Sequence, residues 1–188
     1  MSSTFSDKIW WTRKAKIKAE RRLLNLDFYT QFLLLWYSSF LVCYSIYSLV
    51  KPPVNDNESV IMVALSVLIL VLTLFTNNMN FKGRAMLLKH CYERLGLIHT
   101  ASLNATSLAD LDKEYQSVLA TSENHLDKDF IKAMVDEYAN TSDKSLLTKT
   151  PTWYHRLQVL FYQLRSFIIF SVLFLFPIVI LITIRAAK

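Results

Sequence analysis

The pattern of apolar and polar positions is dominated by two stretches without a charged side chain, residues 28–50 and 60–76, joined by the polar segment 51–59. The first holds 23 residues and the second 17, before the polar side chains of Asn77, Asn78 and Asn80. At about 1.5 Å of rise per residue, a helix over the first crosses a ~30 Å hydrocarbon core with some tilt, and the second just reaches across. Only helices and closed barrels satisfy every backbone polar group in lipid, and the continuous apolar run 61–75 lacks the alternation of a barrel strand. The pattern predicts an antiparallel transmembrane hairpin over 28–79. A further uncharged run of 19 residues, 166–184, predicts a third span. Pro177 in its middle lacks a backbone donor and predicts a kink unless a neighbour satisfies the carbonyl it frees.

Outside the spans the periodicity is helical. Residues 6–27 read as a basic helix, with Ile9, Trp10, Ile17 and Leu24 at near-heptad spacing among Arg13, Lys14, Lys16, Lys18, Arg21 and Arg22. Such a helix either lies on an anionic membrane surface, where each Lys or Arg contributes about 1 kcal/mol, or is a solvated face that sets topology. Phe81, Ala85, Leu88, Tyr92, Leu95 and Ile98 or His99 repeat at 4-3-4-3 spacing. This is a coiled-coil-like seam continuing from the second span, and it is the expected element of assembly between copies. Ser107-x-x-Asp110 offers a cap for the next helix, whose Leu108, Leu111, Tyr115, Val118 and Leu119 share one side and predict antiparallel packing on the seam helix. Another helix follows Glu123, Asn124, His125 and Asp129. Residues 141–152 are polar, contain Pro151 and read as a linker. Beyond it, Trp153, Leu157, Leu160 and Leu164 repeat at 4-3-4 on an amphipathic helix that runs into the third span.

Composition supports helices throughout. The 188 residues are 53% hydrophobic with only 2 Gly and 4 Pro, which excludes a turn-rich all-β domain. The expected fold is therefore an all-α membrane protein. Its parts are a basic N-terminal helix (1–27), the transmembrane hairpin (28–79), a cytoplasmic helical region (80–140), a linker with juxtamembrane helix (141–165), and a third transmembrane helix with tail (166–188). Two cysteines, Cys43 inside a span and Cys91 outside the spans, form no disulfide framework.

The distribution of the +6 net charge adds orientation. Seven basic residues face three acidic ones over 1–27, one faces two in 51–59, and eleven face ten over 80–165. By the positive-inside rule the N-terminus and 80–165 are cytoplasmic in an inner-membrane protein, and 51–59 is outside. An odd number of spans puts the tail outside, against the preference of Arg185 and Lys188. The first apolar run is too long and begins too far in for a cleaved signal peptide.

Candidate chemistry is sparse. His125 with Asp127 and Asp129 has the residue types of a metal or acid–base site, but such a site needs a second cluster, a nucleophile or a cofactor motif. His90, His99 and His155 are isolated, and the sequence has neither a Gly-rich phosphate loop nor a Ser-His-Asp arrangement. No enzyme activity, metal or cofactor is expected, and the stretch reads as a structural helix junction. Basic charge beside Trp10 and Trp11 comes without a nucleic-acid-binding motif, so no specific nucleic-acid binding is expected. Within the hairpin, Ser38, Ser45 and Ser48 share one face, as do Ser66, Thr73, Asn77 and Asn80. Two readings of these stripes stand: close helix packing, or the lining of a water-filled path shared by several subunits.

Behind the basic N-terminus and the short-looped hairpin stand Phe81-Lys-x-Arg-Ala85, Cys91-Tyr92-x-x-Leu95 and Tyr115-x-x-Val-Leu119-x-x-x-Glu123-Asn124-His125-x-x-x-Asp129-Phe130. Together, over roughly residues 8–130, these resemble the SLATT family of bacterial two-helix membrane effectors. The resemblance implies a homo-oligomeric, pore-forming effector of anti-phage defence (abortive infection). It also implies a partner that is a sensor, a nucleotide-signalling enzyme or a reverse transcriptase, and it carries no catalytic residues. The alternative is a membrane-anchored interaction module that localises a partner enzyme without conducting. The third span is additional to a two-helix plan.

Overall fold

A computed structural model describes residues 2–51, 56–104 and 108–186. These form α1 (Ser2–Val50), α2 (Asp56–Asn78), α3 (Phe81–Asn104), α4 (Ala109–Leu119), α5 (Asp127–Asn140) and α6 (Trp153–Ala186), with a 3-10 turn at Lys144–Leu146 and no strand among the described residues. Helices α1, α2 and α6 supply three segments long and apolar enough to cross a membrane, and the chain is an all-α membrane protein. Two compact units result, one from Met1–Leu26 with Phe81–Gln163 and one from Asp27–Asn80 with Leu164–Lys188.

In the first unit the N-terminal part of α1 is core. Ala19 and Leu23 close on Ala85 and Leu88 of α3, with Phe81 packed beside them. Ile9 closes on Cys91, Leu95 and Ile98 of α3 and on Tyr115 and Val118 of α4. This corrects the expectation of a membrane-surface or solvated helix. It also moves the buried face: Trp11, Ala15, Lys16 and Ala19 are buried, whereas Leu24 is exposed. Alanines let α1 approach closely but carry little hydrophobic signal, and a lysine in the buried face disguises it further. At Gly96 of α3 the Arg13 guanidinium lies against the helix, and a Cβ there would come within 3.3 Å of its Cζ.

The stripe expected to join copies is covered inside the chain. Leu88 and Leu95 are fully buried against α1 and α4, and Tyr92 is half-buried beside Glu20. Heptad spacing specifies a helical partner without saying whether it comes from another copy; here α1 of the same chain takes the place. Nor does α3 simply continue α2. Met79 N–H bonds back to Phe75 O at 3.2 Å, and Asn80 adopts a left-handed backbone, φ 45°, which asparagine tolerates and which ends α2.

The proposed cap at Ser107 lies outside the described residues. Asp110 and Asp112 in the first turn of α4 complement its dipole. Residues 141–152 are more than a linker. Thr148 accepts a hydrogen bond from Trp11 Nε1 at 2.8 Å and donates to Asp7 Oδ1 at 2.5 Å, and the Lys149 ammonium lies 4.8 Å from the Phe130 ring centroid.

The second unit holds the membrane spans. Tyr44, Met62, Leu65 and Ile69 are buried in it, and most of its other apolar side chains are exposed, as lipid-facing residues are. Helix α2 starts at Asp56, earlier than the apolar run, so Glu58 belongs to the helix and is fully buried instead of forming part of a polar loop.

Leu88 and its neighbour Leu87 test this packing, because Leu88 is fully buried and Leu87 is half exposed. We expect Leu88→Asp to cost several kcal/mol by burying an unpaired charge, and Leu87→Asp to be nearly neutral. Limited proteolysis of the membrane-inserted protein checks this: equal resistance of the two variants would mean that Leu88 is not core.

Candidate functional site

The Glu123–Asp129 stretch, between α4 and α5, gathers the charges of the first unit. Glu123 takes an ion pair from Arg84 of α3, with Arg84 Nε donating to Oε2 at 2.8 Å. Its backbone carbonyl accepts from Lys16 Nζ at 2.6 Å, and Ser122 Oγ accepts from the same ammonium at 3.0 Å. Asn124 Oδ1 accepts from His125 N–H at 2.9 Å. Asp129, 3% exposed, accepts from Arg22 Nε at 3.0 and 3.2 Å and from Leu126 N–H at 3.0 Å, the latter one half of a capping box for α5. The ladder continues along α5, where Lys18 meets Asp136 at 2.6 Å and Lys14 meets Glu137 at 2.8 Å.

Lys16 is fully buried, and burial lowers its pKa against the opposing pull of Cys91 and Glu123. His125 Nδ1 is buried without a partner. Burial, followed by Lys16, holds His125 below the ordinary imidazole range, with Asp129 and Asp127 opposing. The residue types that resembled a metal or acid–base cluster are thus dispersed: Asp129 serves Arg22 and the α5 cap, and Asp127 is exposed. No group of three metal-ligating side chains occurs among the described residues.

In the membrane unit every stripe hydroxyl is satisfied by its own helix. Ser38 donates to Leu34 O, Ser45 to Leu41 O and Thr73 to Ile69 O, each at 2.8 Å, while Ser48 donates to Ser45 O at 2.8 Å and Ser66 to Val63 O at 2.7 Å. Ser38, Ser45, Ser66 and Asn77 are exposed, so they do not serve close packing inside this chain. Asn80, also exposed, terminates α2 through its left-handed backbone.

The structure adds a site that sequence reasoning missed, the union of α1 and α6. Trp36 stacks on Phe174 with centroids 4.5 Å apart, Tyr29 tilts against Phe170 at 4.9 Å, and Phe32 lies between Phe170 and Phe174 at 6.1 and 6.2 Å. Pro177 has no N–H to give to the carbonyl of Leu173, four residues earlier. The Tyr37 hydroxyl donates to that carbonyl at 2.7 Å, and Trp36 Nε1 donates to Phe174 O at 2.9 Å. Pro177 in a span was the available signal. Which neighbour answers it depends on how the helices meet.

Comparison with known proteins agrees with this architecture. Residues 2–183 match the SMODS and SLOG-associating 2TM effector domain family 5. The chain belongs to this SLATT family. The match takes in α6 as well as the hairpin, so the third span lies within the family region, beyond the roughly 8–130 over which motifs are legible by eye. No curated protein and no solved structure matches the chain. As a member of an effector-domain family the SLATT chain is a membrane effector, and its two units correspond to a charge-clamped helical bundle and a set of spans.

Two measurements follow. Tyr37→Phe should destabilise the detergent-solubilised protein by about 1–2 kcal/mol, because it strands a carbonyl in an apolar setting. In a Pro177→Ala background, where residue 177 regains its N–H, the same change should be nearly neutral; equal costs in both backgrounds would break the link between Tyr37 and Pro177. The second concerns His125. Its depressed pKa means that between the ordinary value of about 6.5 and the lower folded value the unfolded chain binds a proton the folded chain refuses, so stability is present above that window and falls through it. Melting temperature should drop from about pH 7.5 to about pH 5.5, and His125→Gln should flatten part of the drop. His99, lowered by burial and by Arg13, contributes with the same sign.

Proposed function

We propose that several copies of this chain assemble in the inner membrane and permeabilise it when triggered, as an effector of anti-phage defence. The N-terminus and residues 80–165 are cytoplasmic and the 51–59 segment is outside. The observation that carries the reading is the exposure of Ser38, Ser45 and Ser66 on spans whose other exposed side chains are mostly apolar, each hydroxyl bonded to its own helix and free to face water. A single subunit with three spans does not enclose a path, so the lining requires several copies. With no charge on the stripes, ion selectivity is weak. The family description names association with SMODS and SLOG, and in this reading the trigger comes from a partner that is a sensor, a nucleotide-signalling enzyme or a reverse transcriptase. The first unit, with its interlocked charges, is the part of the chain suited to receive such a signal.

Overproduction in bacteria with a membrane-potential dye tests the reading. We expect rapid depolarisation. Ser66→Cys and Thr73→Cys, in a Cys43→Ser background, should react with a small water-soluble thiol reagent only in depolarised cells, and the modification should block conductance. Stable insertion without depolarisation would favour the non-conducting module that localises a partner enzyme.

A further inference from the structure

The amphipathic start of α6 carries an inference that rests on the proposed multi-copy function and specifies where the copies meet. Helix α6 has 34 residues, about 51 Å at 1.5 Å per residue, against a ~30 Å hydrocarbon core. Its uncharged run 166–184 fills that core, and residues 153–165 contain His155, Arg156, Gln158, Gln163 and Arg165. Residue 153 therefore stands about 20 Å along the helix from the first residue of the span, further than the roughly 5–8 Å depth of a headgroup layer.

Along this part, Val159 is buried in the first unit while Trp153, Tyr154, Leu157, Leu160, Phe161 and Leu164 are 47–73% exposed. The arrangement is that of a seam. Trp153, Leu157, Leu160 and Leu164 follow 4-3-4 spacing, and Tyr154 and Phe161 add a second row seven residues apart. Monomeric soluble surfaces rarely carry a contiguous apolar stripe of this size. Six such side chains offer roughly 600 Å² per copy, so two facing stripes bury on the order of 1,200 Å², enough for a specific interface.

We propose that this stripe is the interface between copies, and that a second copy of the same helix, parallel and in register, covers it. Anchoring by the spans gives all copies one orientation and a raised effective concentration, and parallel heptad seams place each side chain against its own counterpart. The seam is uncharged, so nothing on it selects a differently charged partner. Of its flanking cations, Arg156 lies over the Tyr138 ring of its own chain at 5.3 Å, and Arg165 likewise has an interaction of its own, which limits repulsion between copies. This interface takes the place of the 81–98 stripe, which the chain covers itself.

The test is oxidative cross-linking in native membranes of the full chain in a Cys43→Ser background, with Cys91 left buried. Leu157→Cys, Leu160→Cys and Leu164→Cys should give disulfide-linked dimers, several-fold more than the chain-facing Val159→Cys. Monomers at all three seam positions, with full labelling by a water-soluble maleimide or with quenching of a fluorophore there by bromolipid, would overturn the proposal. The double variant Leu157→Glu/Leu160→Glu, made at exposed positions, should keep its helical content and lose its oligomers in detergent; persistence of the wild-type size would likewise overturn it. Depolarisation separates the two readings. Cross-links without depolarisation sink the pore and support the seam, whereas undiminished depolarisation by the double variant sinks the seam and spares the pore.

Discussion

The fold of the first unit depends on neutralising the cations of α1 away from bulk water. Arg22 against the nearly fully buried Asp129, Lys18 against Asp136, and Lys14 against Glu137 form a ladder in which residue numbers rise on α1 as they fall on α5. Lys16, in the middle, has no carboxylate in hydrogen-bond contact among the described residues and relies on Ser122 Oγ and the Glu123 carbonyl. A buried ion is tolerated when its partners are placed beforehand, and it becomes a liability when one partner is removed. That asymmetry ties α1, α3, the α4–α5 junction and α5 into one arrangement. It also makes the Glu123–Asp129 stretch sensitive to anything that competes for its charges.

The membrane unit solves a different problem by the same rule. A proline in a span strands a backbone carbonyl where no water can satisfy it, and the structure answers with a phenol from another span. Around that bond an aromatic stack from Tyr29 to Trp36 on α1 and from Phe170 to Phe174 on α6 supplies the contact area. Lipid provides no hydrophobic drive between spans, so shape, stacking and such hydrogen bonds decide which helices associate. The hydroxyl-bearing faces of α1 and α2 are left outside these intrachain contacts.

Membership in a two-span effector family and the presence of a third apolar helix are compatible on these grounds. Within this chain α6 is joined to α1 by hydrogen bonds and stacking, so it is built into the membrane unit and is not an added tail. Its N-terminal turns bring to the first unit a row of exposed aromatic and leucine side chains. The corresponding stripe of α3 is covered within the chain.

Much of the architecture was legible without coordinates. Uncharged runs of 23, 17 and 19 residues announce helical spans because lipid admits few alternatives, and the 3.6-residue periodicity of 81–98 and 108–119 announces helices that bury one side. The SLATT motifs were readable because Glu123-Asn-His-x-x-x-Asp129 keeps its charged and polar members at fixed spacing, and in the structure Glu123 and Asp129 hold Arg84 and Arg22. Tertiary structure decided what each face meets. A basic helix looks the same in sequence whether its cations face phosphate headgroups or the carboxylates of α5, because those carboxylates lie more than 100 positions away. A heptad stripe does not say whether its partner is α1 or another copy, and two alanines beside a lysine do not mark the buried face of α1. Pro177 declared an unsatisfied carbonyl, but only the meeting of α1 and α6 determined that Tyr37 would satisfy it.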